Sequence, residues 1–176
     1  MFAFSIWSET EEKMYLCRDR FGVKPLYYQK TQSTFIFASE LKAITKFINF
    51  SKKINKKALA AYFQIGFVPA PQTIYEDIYK LESGSWLIVD KDLNIKKEKY
   101  WSADNYFNNN YNNLSEKEVL TELEKKLITS FQYRMVADVD VGIFLSGGID
   151  SSLLTVLLQK NTDKKIFNQR LSGNTE

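Results

Sequence analysis

From Met1 to about Trp101, apolar residues come in short runs broken by polar turns, the pattern of strands rather than long helices. Phe2–Trp7 and Met14–Cys17 flank the charged stretch Ser8-Glu9-Thr10-Glu11-Glu12-Lys13, which predicts a hairpin. Leu26-Tyr27-Tyr28 and Phe35-Ile36-Phe37-Ala38 flank Thr31–Thr34 and predict a second hairpin. Ser85–Val89 and Ile95–Tyr100 across Asp90-Lys91-Asp92 predict a third. Two helical stretches interrupt them. One is short, at Glu40–Ile44. The other covers about Lys56–Gln64, sets Leu59, Tyr62 and Phe63 on one face, and stops before Gly66 and Pro69.

The pattern changes at residues 105–113, where six of nine residues are Asn. Asn favours turns and competes with regular backbone pairing, so this stretch reads as a linker. Ser115 and Glu118 then have the spacing of a capping box. Asn113-Leu114-Ser115 also spells a glycosylation acceptor, which is idle in a cytoplasmic chain. Leu120, Leu123, Leu127 and Phe131 form the stripe of an amphipathic helix reaching about Met135. A strand at Val141–Leu145, a glycine turn and a helix over about Ser151–Gln159 follow. Helix, strand, tight turn and helix make the opening of an α/β parallel sheet.

Composition narrows the chemistry. The 176 residues contain no His, which excludes Ser-His-Asp and Cys-His catalysis and His-ligated zinc within this chain. One Cys excludes an internal disulfide and any CxxC site, and fits a reducing compartment. The net charge of +3 comes from Lys scattered among acids, a solvated surface rather than a nucleic-acid interface. No apolar run approaches the roughly 18 residues of a membrane helix. Met1–Trp7 lacks the basic lead of a secretory signal, so a cytoplasmic protein is expected. The chain opens at once on a core-like strand, as though in mid-domain.

The informative stretch is Val141-Gly142-Ile143-Phe144-Leu145-Ser146-Gly147-Gly148-Ile149-Asp150-Ser151-Ser152. A buried strand runs into Ser-Gly-Gly and then into a helix. Glycines let backbone amides approach a ligand, and a helix N-terminus presents free N–H groups to phosphate. Ser146 and Ser151 add hydroxyl donors, and Asp150 is placed to hold a Mg²⁺ that bridges phosphate oxygens. An ordinary P-loop fails, because Gly148 and Ile149 stand where Lys and Ser/Thr are required. The alternative is a tight strand-to-helix turn in which Asp150 only caps the helix.

Ser146-Gly147-Gly148-Ile149-Asp150-Ser151 resembles the signature of the PP-loop ATP pyrophosphatases, which include asparagine, GMP, NAD and argininosuccinate synthetases. The resemblance implies an ATP site at Leu145, Ser146, Gly147, Gly148, Asp150 and Ser151, with Mg²⁺ on Asp150. Arg18-Asp19-Arg20-Phe21-Gly22-Val23-Lys24-Pro25-Leu26-Tyr27-Tyr28 and Phe37-Ala38-Ser39-Glu40-Leu41-Lys42-Ala43 look like the C-terminal half of a class II glutaminase domain. Gly66–Ile74, Lys80-Leu81 with Gly84, and Tyr100-Trp101 resemble the stretch that follows in glutamine-hydrolysing asparagine synthetases. Amidophosphoribosyltransferases share the Arg-Asp and Ala-Ser-Glu patterns, but they need no ATP pyrophosphatase loop.

The resemblance implies an α+β part followed by an α/β part. Residues 1–104 would be the C-terminal part of an αββα N-terminal-nucleophile glutaminase sandwich, and 105–114 an Asn-rich linker. Residues 115–176 would begin a Rossmann-like PP-loop synthetase domain. The implied activity is ATP-dependent amidation of aspartate to asparagine through β-aspartyl-AMP, with glutamine as nitrogen donor, releasing AMP and pyrophosphate. The small-molecule partners implied are aspartate, glutamine and ATP; a homodimer or a complementing fragment is also expected, and no nucleic acid or membrane. The family's nucleophilic Cys has no counterpart here, and Cys17 reads as a buried small hydrophobe. The expectation is therefore an internal fragment, inactive alone, whose tail from Asn168 to Gly173 departs from the family pattern. A PP-loop enzyme acting on another carboxylate, as β-lactam synthetases do, and a non-catalytic remnant bound to a partner chain stand as alternatives.

Overall fold

Alternation along two neighbouring strands builds the first sheet. β1 (Ala3–Ser8) and β2 (Lys13–Arg18) pair antiparallel, with Phe4 opposite Cys17 and Trp7 opposite Met14. The computed structural model describes residues 1–47, 50–107, 114–162 and 167–170. It divides into two units, Met1–Asn109 and Asn110–Glu176.

In the first unit β2 takes a second partner from far along the chain. β6 (Ser85–Asp90) pairs with it antiparallel, Leu16 opposite Leu87, and β7 (Ile95–Lys99) closes the order β1-β2-β6-β7. A second antiparallel sheet has the order β4-β3-β5, from β3 (Tyr27–Lys30), β4 (Phe35–Ala38) and β5 (Ile78–Lys80). Period-2 geometry turns Met14, Leu16, Leu87, Val89 and Ile95 to one face of the first sheet. These meet Tyr28, Phe35 and Phe37 of the second sheet, with Leu26 and Leu81, in one core. Leu16 and Leu87 are completely buried, each worth about 2 kcal/mol of transfer free energy.

On its other side the second sheet is covered. Gln29 and Ile78 there are buried, and α1 (Leu41–Ile44) packs on β4 and β3 and buries Ile44. α2 (Lys56–Ile65) starts at Asn55, whose side chain accepts from the amides of Lys57 and Ala58, and ends at Gly66 in the left-handed region. The two sheets thus face each other across the core, with α1 on the second sheet. On the outer face of the first sheet no helix lies among the described residues, and Phe2, Phe4 and Ile6 are exposed there.

The Arg18-Asp19 pair ties the loops at one end of this sandwich. The Arg18 guanidinium donates to the carbonyls of Lys24, Gly22 and Leu81 at 2.8, 2.6 and 2.5 Å. The Asp19 carboxylate accepts from the amides of Phe2, Phe21, Val23 and Lys24 at 3.0–3.3 Å. Burial would raise the Asp19 carboxyl, but these four amides outweigh it and hold the group below its ordinary value. Both residues are over nine-tenths buried, so the motif read from the sequence as family-like is a structural clamp.

In the second unit α3 (Glu116–Arg134) opens on the expected capping box, with Ser115 and Glu118 bonded reciprocally. β8 (Gly142–Leu145) leads through a short turn into α4 (Ile149–Lys160). β9 (Phe167–Arg170) pairs with β8 in parallel. This sheet is separate from the two antiparallel ones. Ala103–Tyr106 forms a 3-10 helix, so the Asn-rich stretch begins inside regular structure. Residues 108–113 lie outside the described residues. No helix among the described residues is long and apolar enough to cross a membrane.

Candidate functional site

β8 ends at Leu145 and α4 begins at Ile149, so Ser146, Gly147 and Gly148 make the whole turn between them. Gly147 sits at φ +81° with open space around it, so its demand for glycine is conformational rather than steric. The strand and helix on either side are fixed by Ile143 and Leu158, both buried, with Phe131, Met135 and Leu154 packed against them. The turn is therefore an exposed loop on an anchored base. Ser146, Gly147, Gly148, Ile149 and Asp150 are exposed, while Leu145 and Ser151 are half-buried.

α4 begins two residues earlier than the sequence predicts. Its N-cap is Gly148, which supplies no side-chain cap, and Asp150 lies inside the first turn. The alternative in which Asp150 serves as the helix cap therefore does not hold. The amides of Ile149, Asp150 and Ser151 have no intrahelical acceptor at this end. They point from the positive end of a 12-residue dipole, a setting that favours an anion.

The hydroxyls close the loop on itself. The Ser146 and Ser151 hydroxyl oxygens lie 3.1 Å apart, and the Gly148 amide donates weakly to Ser146 at 3.4 Å. Ser151 also donates to the Gly148 carbonyl at 3.1 Å, and Ser152 donates to the same oxygen at 2.8 Å. Sequence reasoning assigned nothing to Ser152; the adjacent Ser-Ser pair in the first turn was the available signal. Of the residues proposed for the site, Ser146, Gly148 and Ser151 are brought into mutual hydrogen bonding. Leu145 and Gly147 shape the backbone, and Asp150 is presented to solvent.

The donor set tests the expected Mg²⁺. Among the described residues no group of three or more His, Cys, Asp or Glu could hold a metal ion. A single carboxylate does suit Mg²⁺, which keeps its waters and takes its other ligands from phosphate oxygens. Asp150 thus fits a metal that arrives with a nucleotide. Cys17 fits no catalytic role: it is 1% exposed, and burial pushes its thiol up, away from the nucleophilic thiolate.

Comparison with known proteins covers both units. A family model described as glutamine amidotransferase domain matches residues 1–101, and one described as asparagine synthase matches residues 122–172. The second match runs through most of the tail that the sequence sets apart from the family, and β9 lies within it. That expectation is corrected: 168–170 continue the parallel sheet. The putative asparagine synthetase [glutamine-hydrolyzing] 2 of Methanocaldococcus jannaschii is 42% identical over 167 residues, 93% of this chain and 32% of that protein. Asparagine synthetase [glutamine-hydrolyzing] 1 of Bacillus subtilis is 38% identical over 154 residues, 88% of this chain and 24% of its own. Amidase chry2 of Gibberella zeae is 32% identical over 152 residues, 86% and 22% of the two chains. The chain spans a third or less of the length of these relatives.

Proposed function

Given that the chain belongs to the glutamine amidotransferase domain family, we propose that it works as part of a glutamine-hydrolysing asparagine synthetase. Residues 1–104 then belong to the glutaminase sandwich, 105–114 to a linker, and 115–176 to the start of a Rossmann-like PP-loop domain. One observation carries the reading. An antiparallel two-sheet unit is followed, in the same chain, by a Ser-Gly-Gly-x-Asp-Ser turn between β8 and the N-terminus of α4.

In this reading the loop handles the pyrophosphate of ATP. The aspartate side-chain carboxylate attacks the α-phosphorus, the α–β bond breaks, and β-aspartyl-AMP and pyrophosphate form. Ammonia released from glutamine then displaces AMP and leaves asparagine. Negative charge grows on the leaving pyrophosphate as the α–β bond breaks. The amides of Ile149, Asp150 and Ser151, already oriented by α4, stabilise that charge without reorganising. The Ser146 and Ser151 hydroxyls exchange their mutual contact for phosphate oxygens. Asp150 would hold Mg²⁺, which supplies charge neutralisation on the phosphates. The first unit contributes no nucleophile through Cys17.

A second reading is a related enzyme that amidates or cyclises another carboxylate; a 32%-identical relative that is not named an asparagine synthetase leaves room for it. The loop has the same task in both readings. The test is a chimera in which residues 1–176 replace the matching stretch of the Bacillus subtilis relative. It should form asparagine from aspartate, ATP and glutamine, with AMP and pyrophosphate as co-products. A folded chimera that binds ATP yet makes no pyrophosphate would overturn the reading.

A further inference from the structure

The Gly148 carbonyl is shared by three donors. It accepts from the Ser152 amide at 3.2 Å, the Ser152 hydroxyl at 2.8 Å and the Ser151 hydroxyl at 3.1 Å. A carbonyl oxygen offers two lone pairs. The Ser152 amide is fixed there by the helix, and the Ser152 hydroxyl makes the shortest of the three bonds. The Ser151 hydroxyl is the surplus donor. Its other neighbour is the Ser146 hydroxyl, which is itself exposed and able to turn.

We infer that Ser152 is a positioning residue of the loop: by sharing the Gly148 carbonyl it weakens that oxygen's hold on the Ser151 hydroxyl and so makes this hydroxyl easier for a phosphate oxygen to take. The inference rests on reading the loop as a pyrophosphate site. Ser152 is the poorer donor to the anion, because its hydroxyl makes the shorter bond to Gly148, 2.8 against 3.1 Å, and its side chain lies about 100° further round the helix than that of Ser151. Without the Ser152 hydroxyl, Ser151 no longer shares the Gly148 carbonyl with a second hydroxyl, and its 3.1 Å bond there tightens. An incoming phosphate must then break that bond before Ser151 can donate to it.

The effect therefore passes through Ser151, and a double-mutant cycle reads it directly. Magnesium pyrophosphate is titrated calorimetrically into the full 176-residue chain and its variants, with α4 content followed by circular dichroism. Ser152→Ala should weaken binding about fivefold, the worth of one neutral hydrogen bond. Ser152→Thr, whose hydroxyl also reaches the carbonyl four residues back, should restore affinity to within about twofold. In a Ser151→Ala background, Ser152→Ala should cost nothing further. The inference is overturned if Ser152→Ala binds as the wild type does. It is also overturned if the fivefold loss persists in the Ser151→Ala background, which would mark a general helix-end effect. A wild-type chain that binds no pyrophosphate removes the loop reading, and the inference with it.

Discussion

The carbonyl oxygen of Trp101 occupies the space in which a Cβ on Gly84 would stand. Gly84 sits at φ +62°, gives its amide to the Asp19 carbonyl at 2.9 Å, and accepts from the amides of Tyr100 and Trp101 at 2.8 and 3.1 Å. Two constraints meet at this residue: a left-handed backbone and contact with another backbone. Gly84→Ala should therefore cost about 3 kcal/mol or more. Gly66 is a control in the same unit, at φ +79° with nothing within 4 Å, and Gly66→Ala should cost only about 1 kcal/mol. Urea unfolding followed by tryptophan fluorescence compares them. Equal midpoints for the two variants would show that the Trp101 contact is not a constraint.

Asp19 gives the first unit a pH signature. Its folded carboxyl lies below the unfolded value, so its stabilisation is fully present above the unfolded pKa, about 4. That stabilisation is lost as the pH falls through the folded value. Asn keeps one acceptor but turns an amide group toward N–H donors, so Asp19→Asn should cost about 3 kcal/mol at pH 7. The gap between wild type and variant should shrink as the pH drops below about 4. A gap constant from neutral to strongly acidic pH would contradict the four-amide assignment.

What the sequence made legible follows from which interactions are local. The three hairpins, α2, and the Ser115–Glu118 capping box rest on neighbouring residues, and all are present. The pairing of β2 with β6 joins residues about seventy positions apart, and alternation in either strand says nothing about it. β5 has only three residues, too few to show a period, and exists because β3 offers it an edge. The site was legible as a motif because glycines and a following helix are local signals. Its hydrogen bonding was not. Ser152 looked like one more polar residue on a helix, and only the crowding at the Gly148 carbonyl distinguishes it.

The outer face of the first sheet predicts self-association. Phe4 and Ile6 are 37% and 54% exposed, and strand alternation places both on the side away from the core. Contiguous exposed apolar surface of this kind drives association. The chain should sediment with a concentration-dependent mass, and a Phe4→Thr, Ile6→Thr double variant should shift it toward monomer without lowering the melting temperature. An unchanged mass distribution would place the association, if present, on another face.

The central claim is that the turn from Ser146 to Ser151 holds the pyrophosphate of ATP with a metal on Asp150. Aspartate-dependent ATP–pyrophosphate exchange in the chimera tests it most directly, comparing wild-type sequence with Asp150→Asn. Asn preserves size but removes the anionic ligand, and because Gly148 is the N-cap, no helix cap is lost. Exchange should fall by roughly a hundredfold, about 2.7 kcal/mol of transition-state stabilisation, while glutamine hydrolysis stays within about twofold. An Asp150→Asn chimera with normal exchange would contradict the account.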